Sequence, residues 1–135
     1  MVEGGPDPAL ATALAAVFHR YAAAADAGDF PSLVALHQAP CLRLHGDGRA
    51  ECLDTGEAVR AYFEALAARY RERGHARGRW RDLEVAPIGT AAAQASLTWE
   101  MLGADGAVYR RFRRTYVLNR DAAGAWRILL VVAHR

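Results

Sequence analysis

The sequence predicts an α+β domain in which three helices pack on one face of an antiparallel sheet. Three observations carry this reading. Before residue 74, apolar residues recur at helical spacing in three segments. After residue 80 the recurrence changes to period two, in four segments separated by glycine-containing turns. Helices grouped ahead of hairpin-linked strands, rather than alternating with them, build a layered α+β fold.

Residues 1–6 read as a loose tail and residues 7–135 as one domain. Asp7-Pro8 opens the first helix, because aspartate accepts from the free amides of the first turn and proline has none to leave unpaired. Leu10, Leu14, Val17, Phe18, Tyr21 and Ala25 form its apolar stripe. Gly28 ends it, since the left-handed conformation carries no Cβ penalty there. Asp29 caps a short second helix bearing Phe30, Leu33, Val34 and Leu36, and Pro40 is expected to end that run. Residues 41–45 then alternate. Leu42 and Leu44 point one way and read as core, while Cys41, Arg43 and His45 point the other. Gly46-Asp47-Gly48 marks a turn into a return strand at 50–53. Asp54 stands three positions before Glu57, a capping-box spacing. Val59, Tyr62, Phe63, Leu66 and Tyr70 form the stripe of the third helix, which exits at Gly74.

The remaining strands are expected at 80–88, 93–102, 108–119 and 125–134. Ala95, Leu97, Trp99 and Met101 share one face. Trp126, Ile128, Leu130 and Val132 share one face of the last strand. Leu129 and Val131 on its other face are also apolar, so it reads as covered on both sides.

Composition narrows the function classes. Of 135 residues, 53% are apolar and 24% charged, which suits one folded core and argues against disorder. The net charge of +2 gives no global attraction to nucleic acid or a membrane surface. All 17 basic residues are arginine, which reads as compositional bias and discounts any single arginine as a signal. Cys41 and Cys52 flank the glycine turn. A two-residue turn at Asp47-Gly48 would set Arg43 opposite Cys52, so the two thiols are expected to stay reduced. No Cys/His spacing resembles a zinc site, so neither metal nor cofactor is expected. There is no signal-peptide pattern and no long apolar run, and the expected location is the cytoplasm.

Four segments, in their order and spacing, resemble a known superfamily. They are 21–29 (YAAAADAGD), 33–36 (LVAL), 56–63 (GEAVRAYF) and 124–128 (GAWRI). The resemblance is to the nuclear-transport-factor-2-like superfamily, including SnoaL-like cyclases and ketosteroid isomerases. It implies a cystatin-like, cone-shaped roll, a conical pocket between a curved sheet and its helices, and frequent homodimers. Tyr21 falls where ketosteroid isomerases keep an oxyanion-donating tyrosine, and His45 where they keep the proton-shuttling carboxylate. Arg114 lies nearest the position of their protonated aspartate. With two of three roles changed, the resemblance implies a pocket without implying steroid isomerisation.

The candidate catalytic residues are therefore His45, as base, and Tyr21, as donor. The candidate ligand-binding residues are Phe18, Tyr62, Trp99, Met101, Phe112, Arg114 and Tyr116. Arg114 is in phase with Phe112 and Tyr116, so it should face inward and need an anionic partner. His19, His37 and His75 carry no partner pattern and read as surface residues. His134 is in phase with the last strand's apolar face. The arginine runs at 69–81 and 110–114 have carboxylates within reach, which favours an ion-paired face over an RNA-binding one. The expected function is a small-molecule pocket, with isomerase, cyclase or hydratase chemistry on a largely apolar substrate. The alternative is a non-catalytic dimeric association domain.

Overall fold

In the computed structural model, which describes residues 7–134, helix α1 (Pro8–Ala27) is the first element. The tail expected at residues 1–6 lies outside the described residues. The Asp7 carboxylate accepts the Leu10 amide at 3.0 Å, and Gly28 closes the helix at φ 67°. Leu14, Val17 and Phe18 are buried. Asp29 caps α2 (Phe30–Ala35) by accepting the Ser32 amide and hydroxyl.

Helix α2 stops at Ala35 and not at Pro40. The Leu36 carbonyl accepts the Ile128 amide at 2.8 Å, which draws the following backbone into the sheet. Strand β1 (His37–Leu44) therefore starts earlier than the alternation alone indicates. Pro40 falls between His37 and Leu42, where the register with the neighbouring strand shifts. A residue without an N–H is tolerated at such an irregularity.

The loop to β2 (Ala50–Leu53) is one residue longer than a two-residue turn. His45 N–H donates to the Arg49 carbonyl at 2.8 Å, and Gly48 takes a φ of 92° that a side chain would strain. Cys52 consequently opposes Leu42 rather than Arg43. Cys41 is buried, Cys52 is exposed, and both are free thiols.

Helix α3 (Gly56–Glu72) is capped by Thr55, whose hydroxyl accepts the Ala58 amide at 3.1 Å. Asp54, the expected cap, instead accepts the Cys52 thiol at 3.1 Å. The last four strands are β3 (His75–Ile88), β4 (Ala92–Gly103), β5 (Val108–Arg120) and β6 (Trp126–Ala133). Strand order across the sheet is β2-β1-β6-β5-β4-β3. Pairing is antiparallel throughout except at the β1–β6 junction, which is parallel. Register shifts in β3 and β6 bend the strands and curve the sheet around the helices.

The bulge in β6 changes the expected faces. Leu118 pairs with Ile128 and Val117 with Leu130, so Leu129 is an extra residue. Beyond it the alternation reverses. Ile128 and Val131 enter the core, whereas Leu130 and Val132 turn to the outer face and stay partly exposed. All nine elements surround one core, from Leu14 and Phe18 through Leu97 to Tyr116 and Ile128.

Candidate functional site

The inner face of the sheet, α1 and α3 enclose a cavity of about 1190 Å³. Strand β5 contributes Arg110, Phe112, Arg114 and Tyr116 in period two, and β4 contributes Trp99 and Met101. Helix α1 presents Tyr21, α3 presents Tyr62 and Phe63, and the β1–β2 hairpin presents Arg43, His45 and Glu51. Of the nine candidates named from sequence, the structure places His45, Tyr21, Tyr62, Trp99, Met101, Phe112, Arg114 and Tyr116 on this wall. Phe18 is the exception. It is wholly buried with its ring 4.8 Å from that of Tyr116, one layer behind the wall. Helical periodicity reports a core-facing stripe but not its depth.

The faces of β1 are the reverse of the sequence expectation. Leu42 is 43% exposed, whereas Cys41 and Arg43 are buried at 3% and 9%. The parallel pairing decides this: Arg43 aligns with core residue Val131, and Leu42 with outward Leu130. The reversal brings His45 to the cavity. Its Nε2 lies 3.1 Å from the Glu51 carboxylate, an arrangement that holds the imidazole in place.

Tyr21 is both a core ring and a cavity residue. Its ring centre lies 5.3 Å from Trp99 and 5.9 Å from Phe63. Burial holds its hydroxyl pKa well above the ordinary tyrosine value, with Tyr116 adding to this and Arg43 opposing it. The hydroxyl is thus a proton donor at neutral pH. Trp99 Nε1–H donates to the Tyr116 hydroxyl at 2.8 Å. Burial raises the Tyr116 pKa, and that hydrogen bond works against the rise.

Arg43 was not among the candidates. Its guanidinium stands 4.3 Å from the Tyr62 ring centre and 5.7 Å from that of Phe63. Burial, the largest effect, disfavours its charge, and a hydrogen bond with the Tyr62 hydroxyl favours it. Arg110 and Arg114 flank the Phe112 ring at 4.6 and 4.3 Å. None of these three arginines takes part in an ion pair among the described residues. The parity that selected Arg114 selects Arg110 equally.

Two histidines read as surface residues are placed otherwise, His37 in the core and His75, partly exposed, on the cavity wall. His37 is 4% exposed, its Nδ1–H donating to the Leu33 carbonyl at 2.7 Å while its buried Nε2 has no partner. Burial brings its pKa down to about 4. His75 lines the cavity with Nδ1 2.8 Å from the Tyr109 hydroxyl, and burial lowers its pKa. No sequence spacing marks either one. His19 is exposed and packs on Trp80 at 4.8 Å, and neither lines the cavity. His134 lies on the outer face, 2.6 Å from the Thr115 hydroxyl.

Arg69, Arg71 and Arg73, from α3 and its C-terminal cap, also line the cavity, whereas the strand arginines Arg79, Arg81, Arg111 and Arg113 lie on the outer face. Arg79, Arg81 and Arg111 converge on Glu100, whose side chain is 7% exposed. Arg113 pairs with Glu84 and hydrogen-bonds Thr98 at 3.1 Å. No group of His, Cys, Asp and Glu among the described residues is arranged to hold a metal ion. Nor is any described helix long and apolar enough to cross a membrane.

A curved sheet wrapped on three helices around one cavity is a cone-shaped, cystatin-like roll. The family described as NTF2-like protein (DUF6841) matches residues 12–135, and the chain belongs to it. Aln2 from a Streptomyces species superposes with a TM-score of 0.78 at 23% identity, covering 96% of this chain and 93% of that one. An NTF2-like protein with a cystatin-like fold from Novosphingobium aromaticivorans gives 0.74 at 17% identity, over 91% and 79% of the two chains. A Catenulispora acidiphila protein, solved in complex with S-DNPA, gives 0.74 at 22% identity, over 94% and 95%. At these identities the likeness is one of fold. No curated protein matches the chain.

Proposed function

We propose that this protein binds a small, largely apolar molecule in the cavity, and that His45 and Tyr21 act on it as base and hydrogen-bond donor in a proton transfer. The presence of His45 and Tyr21 on one cavity wall that also carries the aromatic rings of Tyr62, Trp99 and Phe112 supports this reading. Such cavities, apolar with a few placed polar groups, are the usual form of a small-molecule site. His45 is backed by Glu51, as a general base needs an orienting partner. Tyr21, kept protonated by burial, supplies a donor for the oxyanion that forms when a proton leaves a carbon beside a carbonyl. The Catenulispora acidiphila structure with S-DNPA bound is a further reason to expect a ligand in a roll of this shape.

The test is hydrogen exchange at a simple carbon acid. 2-Tetralone incubated with the protein in D2O should lose its α-proton signals faster than in buffer alone, and His45→Gln should abolish the acceleration. Exchange no faster than in buffer overturns the catalytic roles. Binding is tested separately by calorimetry with 2-naphthol. Ala61→Trp, which fills the cavity mouth, should remove the binding heat.

A second reading, association into a homodimer, is favoured by one observation on the outer face. Cys52, Leu42, Leu130 and Val117 align in one row across β2, β1, β6 and β5. This apolar row fits a second copy of the chain. A sedimentation mass of one chain at micromolar concentration overturns it. The two readings are compatible.

A further inference from the structure

Among the described residues, no carboxylate forms an ion pair with the three arginines that the sheet turns into the cavity, Arg43, Arg110 and Arg114. Arg43 is 9% exposed, and its described surroundings are aromatic faces and tyrosine hydroxyls. Glu51 stands directly opposite it on β2 but turns its carboxylate to His45. Asp26, also on the wall, accepts the Gly78 amide at 2.9 Å. On the outer face the same protein gathers three arginines around the single carboxylate of Glu100. The inner face of the sheet holds Arg43, Arg110 and Arg114 with no ion-pair partner among the described residues.

Burying a guanidinium without a counter-charge is strongly unfavourable, so such groups occur paired or poised to pair. Arg43 sits on a wall that a ligand can reach. Arg43 aligns with Val131, Val131 with Tyr116, and Arg114 is the next inward residue of β5 after Tyr116. The register thus sets Arg114 two strands across and two residues along from Arg43, about 12 Å between backbones. Both side chains are long enough to reach toward the space over Tyr116. The positive charge of Arg43 also adds to the effects that depress the Arg114 pKa, after burial and Arg110. The two guanidinium groups therefore act on one region of the cavity.

We infer that the cavity takes an aromatic organic acid. Its carboxylate pairs with Arg43, Arg114 supplies a second positive charge, and its ring system lies against Tyr62, Trp99 and Phe112. A guanidinium fork matches a carboxylate in two parallel hydrogen bonds, and the aromatic wall selects for a flat apolar body rather than a free inorganic anion. This inference rests on the small-molecule reading above and narrows it to one charge class.

The test compares 2-naphthoate with 2-naphthamide, which share ring and shape and differ in charge. Calorimetry on the wild-type protein should show naphthoate at least about tenfold tighter, the range of a charge-assisted hydrogen bond. Arg43→Met should reduce that preference to near unity. Arg114→Gln, at a less buried position, should reduce it in part and serves as the second variant if Arg43→Met does not fold. Equal affinity for the two ligands overturns the inference and leaves the small-molecule reading standing. Binding of neither overturns both. Retention of the full preference in Arg43→Met and Arg114→Gln overturns the assignment of these residues.

Discussion

The guanidinium of Arg43 lies 4.3 Å from the centre of the Tyr62 ring, buried at 9% exposure and without an ion-pair partner among the described residues. Contact with an aromatic face offsets part of the desolvation, on the order of 1–2 kcal/mol for a desolvated site. The remainder is a cost carried by the unliganded fold. Arg43→Met keeps the stem and removes the charge. It should leave the thermal midpoint unchanged or higher, since replacing a buried ion by an apolar side chain is often neutral or stabilising. Differential scanning calorimetry of both proteins without ligand checks this. A midpoint several degrees lower would show that Arg43 is satisfied within the fold.

His37 makes stability depend on pH. Burial lowers its pKa to about 4 in the folded chain, whereas an unfolded chain keeps histidine near ~6.5. Between those values the unfolded state binds more protons, so stability rises with pH across that window. The structural reason is plain: the buried Nε2 has no partner, and protonation would place an N–H there with no acceptor. Lowering the pH from 6.5 to 4 should remove about 3 kcal/mol of stability. Urea unfolding of wild type and His37→Leu over this range measures it, and the variant should lose most of the slope.

Glu100 governs a lower range. Hydrogen bonds from Arg111 and Arg79 hold its carboxyl below the ordinary glutamate value. A depressed carboxylate contributes stability that is present above the unfolded pKa and is lost as pH falls through the folded one. Glu100→Gln should lower the thermal midpoint at neutral pH by leaving Arg79, Arg81 and Arg111 facing one another. The gap to wild type should close as acid protonates Glu100. A gap independent of pH would show that packing, not charge, is what Glu100 provides.

Tyr116 supports Trp99 through one hydrogen bond of 2.8 Å. Tyr116→Phe removes the acceptor and leaves the indole N–H buried and unpaired. The expected loss is about 1–3 kcal/mol, the usual penalty for a stranded donor. Chemical denaturation gives the value. The Trp99 fluorescence of the variant should also shift, because its indole loses a polar contact.

Much of this protein was legible in the order of its residues. Asp7-Pro8, Gly28 and Asp29 bound two helices through local backbone chemistry that needs no neighbour. The stripe of α3 and the alternation of β4 named their buried faces correctly, since one element's period decides which residues share a side. Period two also placed Phe112, Arg114 and Tyr116 together. Discounting arginine as compositional bias hid the value of the same parity at Arg110 and Arg43.

What period cannot decide is which side faces in. Leu42 and Arg43 differ by one position, and hydrophobicity alone assigns the leucine to the core. Parallel pairing with β6 assigns Arg43 to it, because Val131 opposite is already there. The bulge at Leu129 reverses β6 in the same way, through backbone hydrogen bonds made with β5. His37 entered the core and His75 the cavity wall by tertiary packing that leaves no trace in spacing. The elements and their caps follow from contacts a few residues apart. The cavity, its arginines and the placement of His45 follow from strand registers set by residues some ninety positions away, and only the folded chain brings those together.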